Sequence, residues 1–115
     1  MGYIAHDAVI AVVSDYDTAT LDEIEAFRRH LGEELGKYIL GPVVGVNGYT
    51  TYVFTPDGSK EGWQYSTDVA ARREAFAQIA GKDGGDVVHV RFGGDYGSEI
   101  GTWIVSTTDP KIKES

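Results

Sequence analysis

The fold follows from residues 7–14, DAVIAVVS, whose six central residues are all apolar. An unbroken apolar run bounded by polar residues is typical of a β-strand that is covered on both faces. The run is much shorter than the ~20 apolar residues that a membrane-spanning helix requires. It therefore predicts a strand in the middle of a sheet.

A helix is predicted directly after this strand. Thr20 and Glu23 have the spacing of a capping box, in which each side chain accepts a hydrogen bond from the other residue's backbone N–H. Apolar residues then recur at intervals of three and four, which gives the helix one apolar face: Leu21, Ile24, Phe27, Leu31 and Leu35. Gly36 can end the helix in a left-handed conformation.

A β-hairpin is predicted in the middle of the chain. Residues 38–46 are apolar but interrupted by glycine and proline, which fits either a bent connector or a short edge strand. Residues 49–55 are aromatic and β-branched and predict a strand. Residues 56–59, PDGS, are typical of a turn, and residues 61–65 are expected to return as the second strand of the hairpin.

A second helix and two further strands are predicted in the remaining sequence. Ser66, Thr67 and Asp68 can each cap the helix, and Gly81 follows its end. Its inner face is expected to carry Val69, Arg72, Phe76, Ile79 and Ala80. Strands are expected over residues 87–92 and around 102–106.

The order strand, helix, hairpin, helix and two strands predicts an α+β domain. We expect a ferredoxin-like arrangement: a mostly antiparallel sheet, two helices packed on one face, and an extra edge strand. A chain of 115 residues, 42% of them hydrophobic, is long enough to form one core. A single domain is predicted over residues 1–108, and residues 109–115 are expected to form a flexible tail.

The charge excludes several classes of partner. The formal net charge of −8 disfavours generic binding to nucleic acid or to an anionic membrane. No signal peptide is evident, so a cytoplasmic location is predicted. The chain has no cysteine, and its histidines lack the spacing of metal ligands, so no metal site and no cofactor are predicted.

Two loops contain residues that can bind a ligand. In residues 56–63, an acid, a hydroxyl group, the base Lys60 and the aromatic ring of Trp63 can form a ligand clamp, or the segment can be a simple turn with solvated charges. In residues 91–99, paired glycines with Arg91, Asp95 and Tyr96 can form an anion site, or a plain hairpin connection. Both alternatives stay open for each loop.

The strand at residues 87–92 alternates two kinds of side chain. We expect Val88, Val90 and Phe92 to face the core. His89 and Arg91 are then predicted on the sheet face away from the helices, where Tyr49, Thr51 and Trp63 can join them. Such a face is a binding surface, and a homodimer that pairs two of these faces is the favoured interpretation.

Catalysis has little support in the sequence. A nucleophile requires a base and an orienting group, and the spacing of residues identifies no such set. Asp57 and Ser59 are better explained as turn residues. No catalytic residue is therefore predicted, and an enzyme is the less favoured class.

Several segments resemble known sequences. These are residues 47–49 (NGY), 54–63 (FTPDGSKEGW) and 89–96 (HVRFGGDY), with residues 3–7 (YIAHD) and 104–107 (IVST) at the two ends. Together they resemble a group of small proteins of unknown function from phages of actinobacteria. The resemblance implies an accessory protein made in the cytoplasm of the infected host, and it supplies no catalytic residues.

Phage accessory proteins of this size usually act by binding. The function predicted is a non-catalytic module that self-associates and binds a host protein. One alternative is sequestration of a nucleotide signal of host defence, with Arg91 and Lys60 as cations and Trp63 or Tyr96 as stacking partners. A second alternative is a small hydrolase that acts on a phosphoester.

Overall fold

The computed structural model describes residues 5–60 and 62–93, together with the backbone of residues 103–107. Two helices and five strands alternate along the chain. The elements are β1 (Ala5–Ser14), α1 (Thr18–Gly36), β2 (Ile39–Val44), β3 (Tyr49–Phe54), α2 (Gln64–Gly81), β4 (Asp86–Gly93) and β5 (Trp103–Thr107).

The five strands form one sheet in the order β2-β3-β1-β4-β5, and every neighbouring pair is antiparallel. The first four strands have the order of a ferredoxin-like fold, and β5 is the extra edge strand beside β4. The helices pack on one face of the sheet. The predicted α+β class and ferredoxin-like arrangement are therefore confirmed.

Strand β1 lies in the centre of the sheet, as predicted, but only one of its faces is covered by helices. Val9, Ala11 and Val13 point toward the helices and are at most 1% exposed. Ile10 points the other way and is 38% exposed. The predicted cover on the second face is not provided by either described helix, since an apolar run indicates that a strand needs burial without showing what provides it.

The hairpin is formed by different residues from those predicted. β2 pairs with β3 across a bulge between Leu40 and Val43, so residues 38–46 contain an edge strand and not a bent connector. The turn contains Asn47 and Gly48, whose φ angles are 62° and 79°. Residues 62–65 do not return as a strand, because α2 already begins at Gln64, and residue 61 lies outside the described residues. An Asn-Gly pair is a strong hairpin signal, and here it outweighs the Pro-Asp-Gly turn that follows β3.

Helix α1 begins and ends differently from the sequence prediction. Its N-cap is Asp17, whose carboxylate accepts a hydrogen bond from the Thr20 N–H at 3.1 Å, so Thr20 is not the cap. Gly32, at φ 78° and ψ 179°, interrupts the helix one turn before its end. Gly36 is not left-handed, and a Cβ there would lie 2.9 Å from the Arg28 carbonyl oxygen. Glycine is needed at position 36 for close packing and not for the turn.

Helix α2 buries an arginine in its inner face. Arg73 is 5% exposed and lies with Val69, Phe76 and Ala80 against the sheet, whereas Arg72 is exposed. The prediction of Arg72 on the inner face is therefore wrong by one residue. The spacings from 69 to 73, 76 and 80 fit a helical period of 3.6 better than position 72 does.

The core is centred on two phenylalanines. Phe54 of β3 and Phe76 of α2 are fully buried, and their ring centroids lie 5.8 Å apart. Replacing a buried phenylalanine with alanine typically costs about 3–5 kcal/mol. This contact therefore makes a large contribution to holding α2 on the sheet.

The orientation of β4 is the reverse of the prediction. His89 pairs with Val9, and Arg91 pairs with Asp7, so both side chains lie on the helix side of the sheet. Residues 88, 90 and 92 point to the other side. Both alternating sets contain valines, so the pattern alone could not assign the faces. We call the helix-free side the open face, and define it by its central residues: Ile10, Val12, Val53, Val88, Val90 and Phe92.

Candidate functional site

A polar pocket lies on the helix side of the sheet, next to one end of the hydrophobic core. Its cavity has a volume of about 270 Å³. Among the described residues, four charged side chains line it: Asp7 of β1, Arg91 of β4, Asp57 from the β3–α2 loop, and Arg73 of α2. Segments that are far apart in the sequence therefore supply its charges.

The first ion pair of the pocket connects two neighbouring strands. Asp7 and Arg91 are cross-strand partners, with Asp7 Oδ1 3.0 Å from Arg91 Nε and Asp7 Oδ2 3.4 Å from Arg91 Nη2. The His89 Nε2 atom also lies 3.0 Å from Asp7 Oδ1. A carboxylate held by a guanidinium fork and an imidazole has a fixed orientation.

The pKa of Asp7 reflects these contacts. Burial raises the pKa of the carboxyl group, but hydrogen bonds and charge from Arg91 and His89 outweigh it. The net result is a pKa below the ordinary value of an aspartic acid. Asp7 is therefore ionised at neutral pH and keeps its partners oriented toward the pocket.

The second ion pair is more deeply buried. Arg73 Nη2 lies 3.2 Å from Asp57 Oδ1, with side chains that are 6% and 10% exposed. The guanidinium also lies over the Phe54 ring, 5.5 Å from its centroid, and Ser59 Oγ donates to Asp57 Oδ2. The turn at residues 56–59 thus has a second role, because it delivers the carboxylate that neutralises a buried arginine.

Arg73, which lines the pocket, also has a donor without an acceptor. Its Nε is buried and has no hydrogen-bond partner among the described residues. A buried donor without a partner typically costs about 1–3 kcal/mol.

The start of α2 adds further donors beside Arg73. Its N-cap is Trp63, which makes no side-chain cap hydrogen bond. The first N–H groups of a helix have no acceptor within the helix and carry the positive end of its dipole. Ser66 and Thr67, in the first turn, line the pocket, and Thr67 Oγ1 donates to the Trp63 carbonyl at 3.5 Å. This combination of donors is typical of an anion site.

The structure brings together only some of the residues predicted for ligand binding. His89 and Arg91 both contact Asp7. Lys60 and Trp63 precede α2, are exposed and do not line the pocket; Trp63 N donates to the Lys60 carbonyl at 3.1 Å. Asp95 and Tyr96 lie outside the described residues.

Sequence reasoning missed Asp7, Asp57, Ser59 and Arg73 as site residues. Arg73 offered a signal, because a charged residue at the spacing of the inner face of a helix requires a buried counter-charge. No comparable signal marked Asp57, since its sequence context is that of an ordinary turn. Its role depends on the tertiary contact between the loop and α2.

The part of the chain that the structure describes contains no group of side chains arranged for metal binding or for nucleophilic catalysis. No group of three His, Asp or Glu side chains there could hold a metal ion. Ser59 donates to Asp57, and none of the described histidines contacts it.

The chain matches no family model, no curated protein and no solved structure. Neither of the described helices has the length and apolar character needed to cross a membrane.

Proposed function

We propose that the protein is a binding module for a small anionic ligand, whose phosphate or carboxylate group occupies the polar pocket at the start of α2. The observation that carries the proposal is the set of donor-bearing side chains that line one cavity: Arg73, Arg91, Ser66 and Thr67. An oxyanion in the cavity can accept from several such donors at once.

The donors around the cavity suit an oxyanion. A guanidinium has five N–H donors, and the contact with Asp57 uses one nitrogen of Arg73. Ser66 and Thr67, in the first turn of α2, line the same cavity. A tetrahedral phosphate or a planar carboxylate can accept from several of these donors at once.

The size of the cavity limits the ligand. A volume of about 270 Å³ is at the lower end of small-molecule sites, which span ~300–1,000 Å³. It fits an anionic group and a few further atoms, and the remainder of a larger ligand would lie outside. Trp63, directly before α2 and 56% exposed, is available at this end of the helix for stacking on a base.

A nucleotide therefore fits both features, and we favour it within the anionic class. Its phosphate would lie in the pocket and its base against Trp63. A long polyanion would instead meet the acidic exterior of a protein with a net charge of −8. The acidic exterior therefore disfavours generic nucleic-acid binding but does not prevent a small anion from binding in the pocket.

Isothermal titration calorimetry with AMP, adenosine and inorganic phosphate tests the proposal. We expect AMP to bind, phosphate to bind more weakly, and adenosine to bind least, because most of the recognition lies in the anion. Arg73→Lys keeps the charge opposite Asp57 but removes the planar fork, and we expect it to weaken AMP binding at least tenfold.

Arg72→Lys is the matched control, since Arg72 is the neighbouring and exposed arginine of the same helix. It should bind AMP as the wild type does. Circular dichroism shows whether each variant is folded. Equal AMP affinity in the two folded variants, or the absence of any binding by the wild type, would refute the proposed site.

Two other functions predicted from the sequence remain predictions. A host-protein partner was expected from the resemblance to phage proteins, and it would use the acidic exterior and exposed aromatic residues. Hydrolysis of a phosphoester would use the same pocket, but Ser59 has no histidine beside it among the described residues. Binding without turnover is therefore the function that the pocket supports best.

A further inference from the structure

The open face of the sheet is largely apolar although neither of the two described helices covers it. Antiparallel sheets with one solvated face usually place polar residues there. Here most outward positions of β1 and β4 are apolar, namely Ala8, Ile10, Val12, Val88, Val90 and Phe92, and the polar ones lie toward the strand ends, at His6 and Asp86. On the edge strand β2, Leu40 and Val43 are 54% and 63% exposed and continue the same surface across the sheet.

We infer that a second copy of this chain covers the open face, so that two sheets pack face to face in a homodimer. The sequence had already suggested a sheet-to-sheet dimer, but through a half-polar face carrying His89 and Arg91. The structure replaces that surface with an apolar one, which is better suited to permanent burial.

The size of the face agrees with a dimer. Five strands spaced ~4.8 Å apart, with the paired segment of β1 and β4 rising ~3.3 Å per residue, give a flat footprint of roughly 600 Å². Protruding side chains make the accessible area larger than this footprint. A standard interface buries about 800 Å² on each partner, so the face can supply most of what a stable dimer needs.

The distribution of charge favours a second copy over another kind of partner. The chain has a net charge of −8, so two copies repel each other over most of their surfaces. Of the outward residues described on the central strands β1, β3 and β4, only Asp86, at one end of β4, carries a formal charge. Two open faces can therefore meet without opposing like charges. A basic partner would be drawn to the acidic exterior instead.

The two-fold pairing leaves the polar pocket accessible. Aligned sheets pack ~10 Å apart with their strands rotated by about 30°, and the pocket lies on the opposite side of the sheet. Each copy would keep its own pocket, so dimerisation and anion binding are independent. A variant that dissociates the dimer should bind AMP as the wild type does.

Sedimentation equilibrium of the full chain, over a range of protein concentrations, tests the inference. The wild type is expected to be a dimer with a dissociation constant in the micromolar range or below. Val53→Lys places a charge in the middle of the open face and should weaken the dimer at least a hundredfold. Val46→Lys, at the 82% exposed turn of the hairpin, is the matched control and should leave association unchanged.

Salt gives a second measurement that does not depend on a variant. Because the copies repel through their net charge and meet through an apolar face, raising the salt concentration should strengthen the dimer. A monomeric wild type at all concentrations would overturn the inference. So would a dimer that Val53→Lys leaves intact, or one that salt dissociates, since each places the interface elsewhere.

Discussion

Replacing Asp57 with asparagine tests how strongly the buried ion pair holds α2 against the sheet. The substitution keeps the shape of the side chain and removes its charge. Arg73 then stays 5% exposed but loses the carboxylate that lies 3.2 Å from its Nη2. The amide oxygen of the new residue can still accept one hydrogen bond from the guanidinium, so the loss of stability is caused mainly by the loss of charge.

The expected loss of stability follows from the burial of the pair. Removing one partner of a buried ion pair typically costs about 3–5 kcal/mol, and the retained hydrogen bond places Asp57→Asn near the lower end. A loss of about 3 kcal/mol is a large part of the ~5–15 kcal/mol that stabilises a domain. The variant should therefore fold but be strongly destabilised.

Urea denaturation followed by circular dichroism measures this change. With a slope of about 1.5 kcal/mol per molar urea, a loss of about 3 kcal/mol lowers the midpoint by roughly 2 M. Glu23→Gln is the control, because Glu23 pairs with Lys82 at 2.5 Å where both side chains are about half exposed. An exposed pair contributes little, and the midpoint should not move.

A double variant separates charge from packing. Combining Asp57→Asn with Arg73→Met removes both charges and fills the same space with an apolar side chain, so it should be more stable than Asp57→Asn alone. If Asp57→Asn lowers the midpoint no more than Glu23→Gln does, the pair is not the strong tertiary contact that its burial implies.

Three further predictions concern other parts of the molecule. The lowered pKa of Asp7 means that its ion pairs stabilise the fold above the unfolded-state pKa of ~3.9, and that this contribution is lost as the pH falls through the lower folded-state pKa. Asp7→Asn should accordingly destabilise the protein at pH 7 and much less at pH 2, as urea midpoints at the two pH values will show; an equal loss at both would contradict it. Gly85→Ala should be strongly destabilising, because the new Cβ would lie 2.2 Å from the Ala80 carbonyl oxygen, whereas at Gly45 the nearest atom is 3.4 Å away; thermal unfolding of the two variants should differ by several degrees. The hydrogen bond between the Tyr38 and Tyr65 hydroxyl groups, whose oxygens lie 2.8 Å apart, raises the pKa of Tyr65 to about 12. Ultraviolet titration of Tyr38→Phe should show one tyrosine returning toward 10, and an unchanged titration curve would rule out that contact.

Local patterns were sufficient to predict most of the elements. The apolar run at residues 8–13 predicted a central strand, and the three-and-four spacing after Thr20 predicted α1. Both patterns report on burial within one element. The hairpin was misplaced because two turn signals compete around β3, Asn47-Gly48 before it and Pro56-Asp57-Gly58 after it, and local sequence does not rank them.

The pocket could not be predicted because its charges meet only through tertiary contacts. Asp7 reaches Arg91 through strand register, and Asp57 reaches Arg73 through the packing of α2. His89 and Arg91 were recognised as candidate ligand residues but were placed on the wrong face, since both alternating sets of β4 contain valines. A shift of one residue in register exchanges the two faces of a strand, and nothing within β4 itself indicates which set of side chains faces the helices.

The pairing of β1 with β4 also bears on how the chain avoids misfolding. A strand that is apolar on both faces can slip by one residue and still bury valine, isoleucine or alanine at each core position. The hydrophobic effect alone therefore discriminates weakly between neighbouring registers. Asp7 discriminates strongly, because a one-residue slip would move its carboxylate to the opposite face and leave Arg91 and His89 without it. The polar end of the strand thus sets the alignment of its apolar middle.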